Sequence, residues 1–442
     1  MRPFLRMSVP LRIPRPPLHI RYNHTQPQAH LRENEYASTY EISEDELPPE
    51  ERHGQIEWDK TRLTFHSDGV LIHRNSQYDP TTYQRLRDNC PCPQCVDPST
   101  RQKLRTSGSS ATVKLTKAFK GFDAAGESGA HITWSDSHAS FYTEAQLRDM
   151  VAFDNGRKNV SHHFRRKLWD RPTLEASNLR MKYEDVRGNA GGMLEMLRQA
   201  QVYGLVVVSG VPTERTSDKD CELRAFMEEI GEIRNTFYGQ TWDVKSVVNS
   251  KNVAYTSQDL GLHMDLLYFS SPPRFQALHC LRNRVQGGSS YFADSFYAAR
   301  HIQHNDPHTA SILSRYPLDF EYDNDGHYLR CRHFIMNNLD SLRSHVNWSP
   351  PFQGKMRRVA PPRVPVKQAY KAEKEFYEAL AKFEETLGRP DVQYEFTMKE
   401  GDLVFFDNRR VLHARREYGE GERWLKGCYL DGEVVWDRLA TL

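Results

Sequence analysis

The sequence predicts a mainly β chain with flanking helices: a small N-terminal β unit followed by a larger β sandwich or jelly roll. Three observations carry that expectation. Short apolar runs punctuated by turn residues recur in both halves, at 70–72, 205–208, 275–281, 290–293, 403–406 and 424–430. Helical stripes are few, confined to stretches such as 194–202, 223–230 and 376–387. Three of the seven cysteines crowd into one turn at Cys90, Cys92 and Cys95, which gives the first unit a metal-binding character of its own.

Length and charge set the outer bounds. A chain of 442 residues accommodates roughly two or three domains. The 60 basic and 58 acidic residues leave a net charge of +2, so there is no electrostatic case for a nucleic-acid partner. No run approaches the ~18 consecutive apolar residues of a membrane span.

Residues 1–32 hold six arginines, and the first carboxylate is Glu33. That Arg-rich, acid-free bias is expected of a mitochondrial presequence; a disordered basic tail on a cytoplasmic protein is the alternative. The acidic, polar stretch 33–55 is expected to be a linker. The N-terminal β domain should then occupy 56–145, with strands around Leu63 and Phe65 and at 70–72, 111–115 and 132–134, and a helix at 145–151. Residues 146–192 should connect to the second domain, 193–442. There Gly204 should stop the helix that Leu194, Leu197 and Val202 begin, and 205–208 should be a buried strand. Leu223, Phe226, Met227 and Ile230 mark one face of a further helix, and Phe376, Leu380, Phe383 and Leu387 the core face of a late one. The Pro- and Arg-rich stretch 348–366 reads as a surface loop or lid.

Cys90, Cys92 and Cys95 supply three thiols, and tetrahedral zinc needs a fourth N or S ligand. His138 is the best candidate, with His131 in reserve; the alternative is three unmetallated thiols.

In the second domain, His263-Met264-Asp265 places an imidazole and a carboxylate two residues apart, on one face of a strand or its extended continuation. His66-Ser67-Asp68 fits the same pattern, so the pattern alone is weak. His413 follows the apolar run 403–406. Together His263, Asp265 and His413 have the chemistry of a 2-His-1-carboxylate iron set with open positions. Arg423 and Tyr429 share parity in the last run. An arginine facing an interior is costly unless it meets an anion, either a bound carboxylate or an acid such as Asp265.

These residues resemble the iron(II)- and 2-oxoglutarate-dependent dioxygenases of the taurine-dioxygenase-like superfamily, and within them the γ-butyrobetaine dioxygenase branch. The stretch from Leu86 to Cys92, with His138 later, is similar to that branch's zinc-binding N-terminal domain. The resemblance implies a double-stranded β-helix with iron on His263, Asp265 and His413, the distal carboxylate of 2-oxoglutarate on Arg423, and Ser290, after Gly287-Gly288, as a further co-substrate residue. It also implies a structural zinc on Cys90, Cys92, Cys95 and His138. Tyr238, Trp242, Tyr255 and Tyr429 would cage a trimethylammonium group, which offers no hydrogen bond and is held by aromatic faces. Asn252 would hold the substrate carboxylate. The implied reaction is hydroxylation of γ-butyrobetaine to L-carnitine with O₂, with ascorbate as reductant and a homodimer as the assembly. Trimethyllysine or another betaine-like amine is the alternative substrate. A zinc-stabilised binding protein on an inactive scaffold is the alternative outside enzymes. Three positions depart from the branch: Met264 and Leu267, expected to reshape the pocket beside the iron, and Arg409, just before the iron histidine.

Overall fold

The computed structural model describes residues 54–151, 166–245, 258–337, 345–356, 359 and 363–442. The chain divides into two compact units, one ending at Phe153 and one beginning at Asp154. The expected presequence and nearly all of the linker lie outside the described residues.

In the first unit, strands β1 (Gly54–Glu57), β2 (Thr61–Phe65), β3 (Gly69–Arg74) and β4 (Gln77–Thr82) form an antiparallel meander. A second antiparallel sheet holds β5 (Leu115–Phe122), β6 (Ser128–Trp134) and β7 (Ala139–Thr143). Leu63, Ile72, Leu86, Ile132, Trp134 and Tyr142 are buried in one core. The strand expected at 111–115 begins only at Leu115, after a 3₁₀ turn at Ser107–Ser110. Most β5 side chains are exposed or half-buried, so no apolar run announces the strand.

Helix α1 (Tyr83–Asp88) starts at Thr82, whose hydroxyl accepts from the Arg85 amide. Its end delivers Cys90. The Cys92 carbonyl then accepts from both the Cys95 and Val96 amides, folding the three thiols onto one tight turn. His138 sits in the β6–β7 hairpin turn, where its carbonyl accepts from the Trp134 amide. Helix α2 (Glu144–Val151) closes the unit.

The second unit is a two-sheet jelly roll. Its strands are β8 (Arg180–Lys182), β9 (Leu205–Ser209), β10 (Thr241–Lys245), β11 (Leu260–His263), β12 (Phe275–Asn283), β13 (Ser290–Asp294), β14 (Pro317–Asn324), β15 (His327–Phe334), β16 (Met336–Asn337), β17 (His345–Val346), β18 (Gln393–Phe396), β19 (Leu403–Asp407), β20 (Val411–Arg415) and β21 (Arg423–Leu430). The larger sheet runs β10-β21-β12-β19-β9-β8 and the smaller β11-β20-β13-β18. The long helix Val366–Gly388 buries Phe376, Leu380, Phe383 and Leu387 as its spacing demands. The helix expected at 223–230 stops at Met227, although Ile230 is still buried. The stretch expected as a mere connection contributes β8, the parallel edge strand of the larger sheet. The described part of the expected lid is anchored at its start: Trp348 is buried against Phe383, and its carbonyl accepts from the Met264 amide.

Helix Ala190–Tyr203 ends at Gly204, which takes φ +79°. A Cβ there would lie 2.9 Å from Val411 Cγ2, so both backbone and space require glycine. Beside it lies the most buried ion pair of the unit. Arg410 grips Asp294 through Nε (3.1 Å) and Nη2 (2.8 Å), both side chains at 0 % exposure. Arg410 also donates to the carbonyls of Val202 and Lys167, while Asp294 accepts from the amides of Trp169 and Phe296. Removing one partner leaves the other charge buried and uncompensated. Asp294→Ala is expected to destabilise the fold by about 3–5 kcal/mol. A urea denaturation midpoint for the second unit's transition checks this; a shift of under about 1 kcal/mol, the worth of an exposed pair, would contradict it.

Candidate functional site

Strands β11 and β20 run antiparallel with His263 directly opposite His413, ring centroids 4.1 Å apart. Sequence spacing puts His263 and Asp265 on one face of a strand or its extended continuation. β11 ends at His263, and Asp265 is held beyond it by a side chain. Asn408 accepts from the Asp265 amide (2.9 Å) and donates to the Asp265 carbonyl (3.1 Å). Leu266 then turns the chain at φ +61°. The result sets Asp265 Oδ1 3.5 Å from His263 Nε2 and Oδ2 3.9 Å from His413 Nε2.

The protonation pattern follows from the partners. His263 Nδ1 lies 2.8 Å from the Gly261 carbonyl, which can only accept, so Nδ1 carries a proton and Nε2 is the nitrogen that faces inward. Burial, with His263 alongside, pushes His413 down to about 3, so it is neutral at physiological pH. Burial alone would raise Asp265, but the two histidines beside it and the hydrogen bond from the Tyr429 hydroxyl hold it well below the usual carboxylate range. Two imidazole nitrogens and a carboxylate therefore converge. That donor set fits a divalent cation, and its N₂O composition fits iron(II).

The three residues line a cavity of about 90 Å³. Arg423, Arg415 and Ser290 line one part of it. Ser290 is the register partner of Arg415, two residues along the smaller sheet from the level where His413 faces Phe292. Arg423 is 6 % exposed. Among the described residues it has no carboxylate partner, and its Nε is buried without a hydrogen bond. Burial beside Arg415 lowers it to about 10, so it remains a cation. Gly287 and Gly288, both at positive φ, let their turn close over it: a Cβ on Gly288 would lie 3.5 Å from Arg423 Nε. Of the two readings open for this arginine, the described residues supply no acid, which leaves a cationic pocket for an anion.

Six residues along β21, roughly 20 Å at strand rise, Tyr429 marks the other part of the cavity. Tyr238 and Trp242 line it too, with Trp242 stacked on Tyr429 at 4.1 Å and 25° and Tyr238 6.4 Å from Trp242. Tyr268, which sequence reasoning missed, adds a further wall and meets the Tyr238 hydroxyl at 3.1 Å. Asn252 and Tyr255 lie outside the described residues. Also missed were Gln276, Asn408 and Arg415, whose roles depend on cross-strand neighbours and left no local signal. The three departures do not line the cavity. Met264 and Leu267 are buried in the hydrophobic core, and Arg409 is directed to Asn347 Oδ1 at 2.8 Å.

In the first unit, His138 Nε2 lies 3.3, 3.4 and 3.6 Å from the sulfurs of Cys90, Cys92 and Cys95. Ligands ~2.3 and ~2.0 Å from a tetrahedral zinc would be about 3.5 Å apart, so the set fits that ion. Arg87, 4 % exposed, donates to Cys95 Sγ and to Asp136, offsetting thiolate charge. His131 is not part of this set; it stacks on Phe119.

Comparison with known proteins agrees with this geometry. Residues 50–148 match the family described as gamma-butyrobetaine hydroxylase-like, N-terminal. Dioxygenase str8 of Strobilurus tenacellus is 41 % identical, over 86 % of this chain and 89 % of its own. Gamma-butyrobetaine dioxygenase of Homo sapiens is 29 % identical, over 81 % and 89 %. The mitochondrial trimethyllysine dioxygenase of Rattus norvegicus is 28 % identical, over 84 % of each. The second unit is spanned almost whole by a match over residues 170–429, and by it the chain belongs to the taurine catabolism dioxygenase TauD, TfdA family.

Proposed function

We propose that this 2-oxoglutarate-dependent dioxygenase hydroxylates an aliphatic C–H bond of a quaternary amine, with γ-butyrobetaine, giving L-carnitine, as the leading substrate. One observation carries the reading. The His263, Asp265, His413 set lies in a cavity that also holds Arg423, which has no carboxylate partner among the described residues, and a cluster of aromatic rings.

Bound iron(II) with 2-oxoglutarate and O₂ supplies the oxidising power for such a hydroxylation. The chain's own groups do the rest. Arg423 anchors a distal carboxylate by charge, and Ser290 offers a hydroxyl in the same wall. Asn408 fixes the backbone of Asp265. Tyr238, Trp242 and Tyr429 give the π faces that attract a cation able to donate no hydrogen bond, and Tyr268 closes their wall. Apolar neighbours such as Leu266, Phe292 and Leu425 exclude water from the reacting centre. Gamma-butyrobetaine and trimethyllysine dioxygenases among the relatives support a betaine-like substrate. The competing reading is a neutral substrate, because Tyr429 already covers one Trp242 face.

His263→Ala and His413→Ala are each expected to abolish succinate release while leaving the melting temperature near that of the parent. Near-normal turnover in either variant would remove these residues from the site.

For the substrate, the parent enzyme should bind γ-butyrobetaine more tightly than its uncharged carbon isostere by about 1–2 kcal/mol, the range of a desolvated cation–π contact. Trp242→Leu should narrow that gap. Equal affinities in the parent would move the substrate to the neutral class.

We assign zinc to Cys90, Cys92, Cys95 and His138 as a closed structural site, since four protein ligands leave no position for water. Elemental analysis should find about one zinc per chain. Chelation should lower the first unit's melting temperature and leave the second unit's unchanged. A stable first unit without zinc would refute the assignment.

A further inference from the structure

We infer that Gln276 and Tyr429 act as a paired clamp that reserves one oxygen of Asp265 for the metal and holds the other away from it. The inference rests on the reading of His263, Asp265 and His413 as the metal set. Gln276 on β12 and Tyr429 on β21 are direct cross-strand partners in the larger sheet. Both donate to the same atom: Gln276 Nε2 lies 2.8 Å from Asp265 Oδ2, and the Tyr429 hydroxyl 2.7 Å. Asp265 itself follows β11 of the smaller sheet.

A carboxylate oxygen has two in-plane lone-pair directions. Two hydrogen bonds occupy those of Oδ2. Oδ1 lies 3.5 Å from His263 Nε2, a closer approach than the 3.9 Å from Oδ2 to His413 Nε2, and keeps its lone pairs for a cation. The carboxylate is thereby fixed in rotation and limited to single-oxygen ligation. The coordination position that a second oxygen would have taken stays open for co-substrate or O₂. Charge-assisted bonds of this kind are the stronger class, and partners that orient metal ligands govern metal affinity.

Tyr429 therefore has two separable parts. Its ring stacks on Trp242 and walls the cavity, while its hydroxyl is committed to Asp265. A cage role needs only the ring; the clamp needs the hydroxyl. Gln276 and Tyr429 are positioning residues by this account, acting through Asp265.

The test uses the full chain with its zinc site loaded, titrated with manganese(II). This cation prefers oxygen and nitrogen donors and leaves thiolate sites alone. Binding is read by calorimetry or electron paramagnetic resonance, with melting temperatures alongside. Tyr429→Phe and Gln276→Met are each expected to weaken manganese binding about 10–100-fold without unfolding the protein. Affinities within twofold of the parent in both variants would overturn the clamp, and a fall in one alone would overturn the pairing. Tyr429→Phe is close to isosteric, so it keeps the test decisive should Gln276→Met not fold. His263→Ala is the control for the underlying reading. If it loses manganese while the clamp variants do not, the clamp alone fails. If it binds manganese like the parent, the metal set itself is wrong.

Discussion

Four consecutive polar side chains, Asp407 to Arg410, are buried at the turn where the chain leaves the larger sheet for the smaller. Buried polar groups must find partners or cost several kcal/mol, and here each finds one on a different part of the unit. Asp407 accepts from Arg274, Asn408 holds the backbone of Asp265, Arg409 donates to Asn347, and Arg410 grips Asp294. The turn can occupy only the place where all four are satisfied. His413 sits three residues further on, so its position relative to Asp265 follows from the same constraint. The donor set is held in place by a buried turn in which each of the four side chains has a partner.

The cavity above that turn is organised by unpaired charge. Donor atoms for a cation gather where the two sheets face each other, and Arg423, with no carboxylate partner among the described residues, lies farther along. Neither arrangement is stable by itself in a low-dielectric interior. The same low dielectric strengthens attraction for any ion of opposite sign that enters. A free-energy cost borne by the empty fold thus becomes affinity in the loaded one. Arg87 applies the reverse logic in the first unit, where a permanent cation sits against a thiolate-rich centre.

Much of this was legible from the chain alone. Buried strands such as β9 and β19 are continuous apolar runs, and the core face of the helix at Val366–Gly388 is plain in its spacing. The donor residues His263, Asp265, His413 and the Cys90 turn stood out because few other roles need those residue types together. What stayed hidden depends on register. Gln276 reads as a polar interruption until β12 is laid beside β21. Asn408 reads as a turn residue until its side chain is seen to replace a strand's ladder. β8 escaped notice because three residues of mixed exposure carry no periodicity. The departures at Met264, Leu267 and Arg409 misled in the opposite sense: adjacency in sequence to the donors suggested adjacency to the cavity. Alternation and a positive-φ turn carry them elsewhere.

The two donor sets also differ in how much chain they require. Cys90 and His138 are 48 residues apart and lie within one small unit. His263 and His413 face each other only after everything between them has been made, including the long helix and the buried turn. Synthesis adds about 5–20 residues per second, so the sulfur-rich set can close tens of seconds before the second set exists. Closure of the later set needs contacts of high sequence separation, which form slowly. The earlier unit can therefore take up its ion while the rest of the polypeptide is still emerging. Were both sets to hold ions, the spacing of their ligands would give metal acquisition a temporal order.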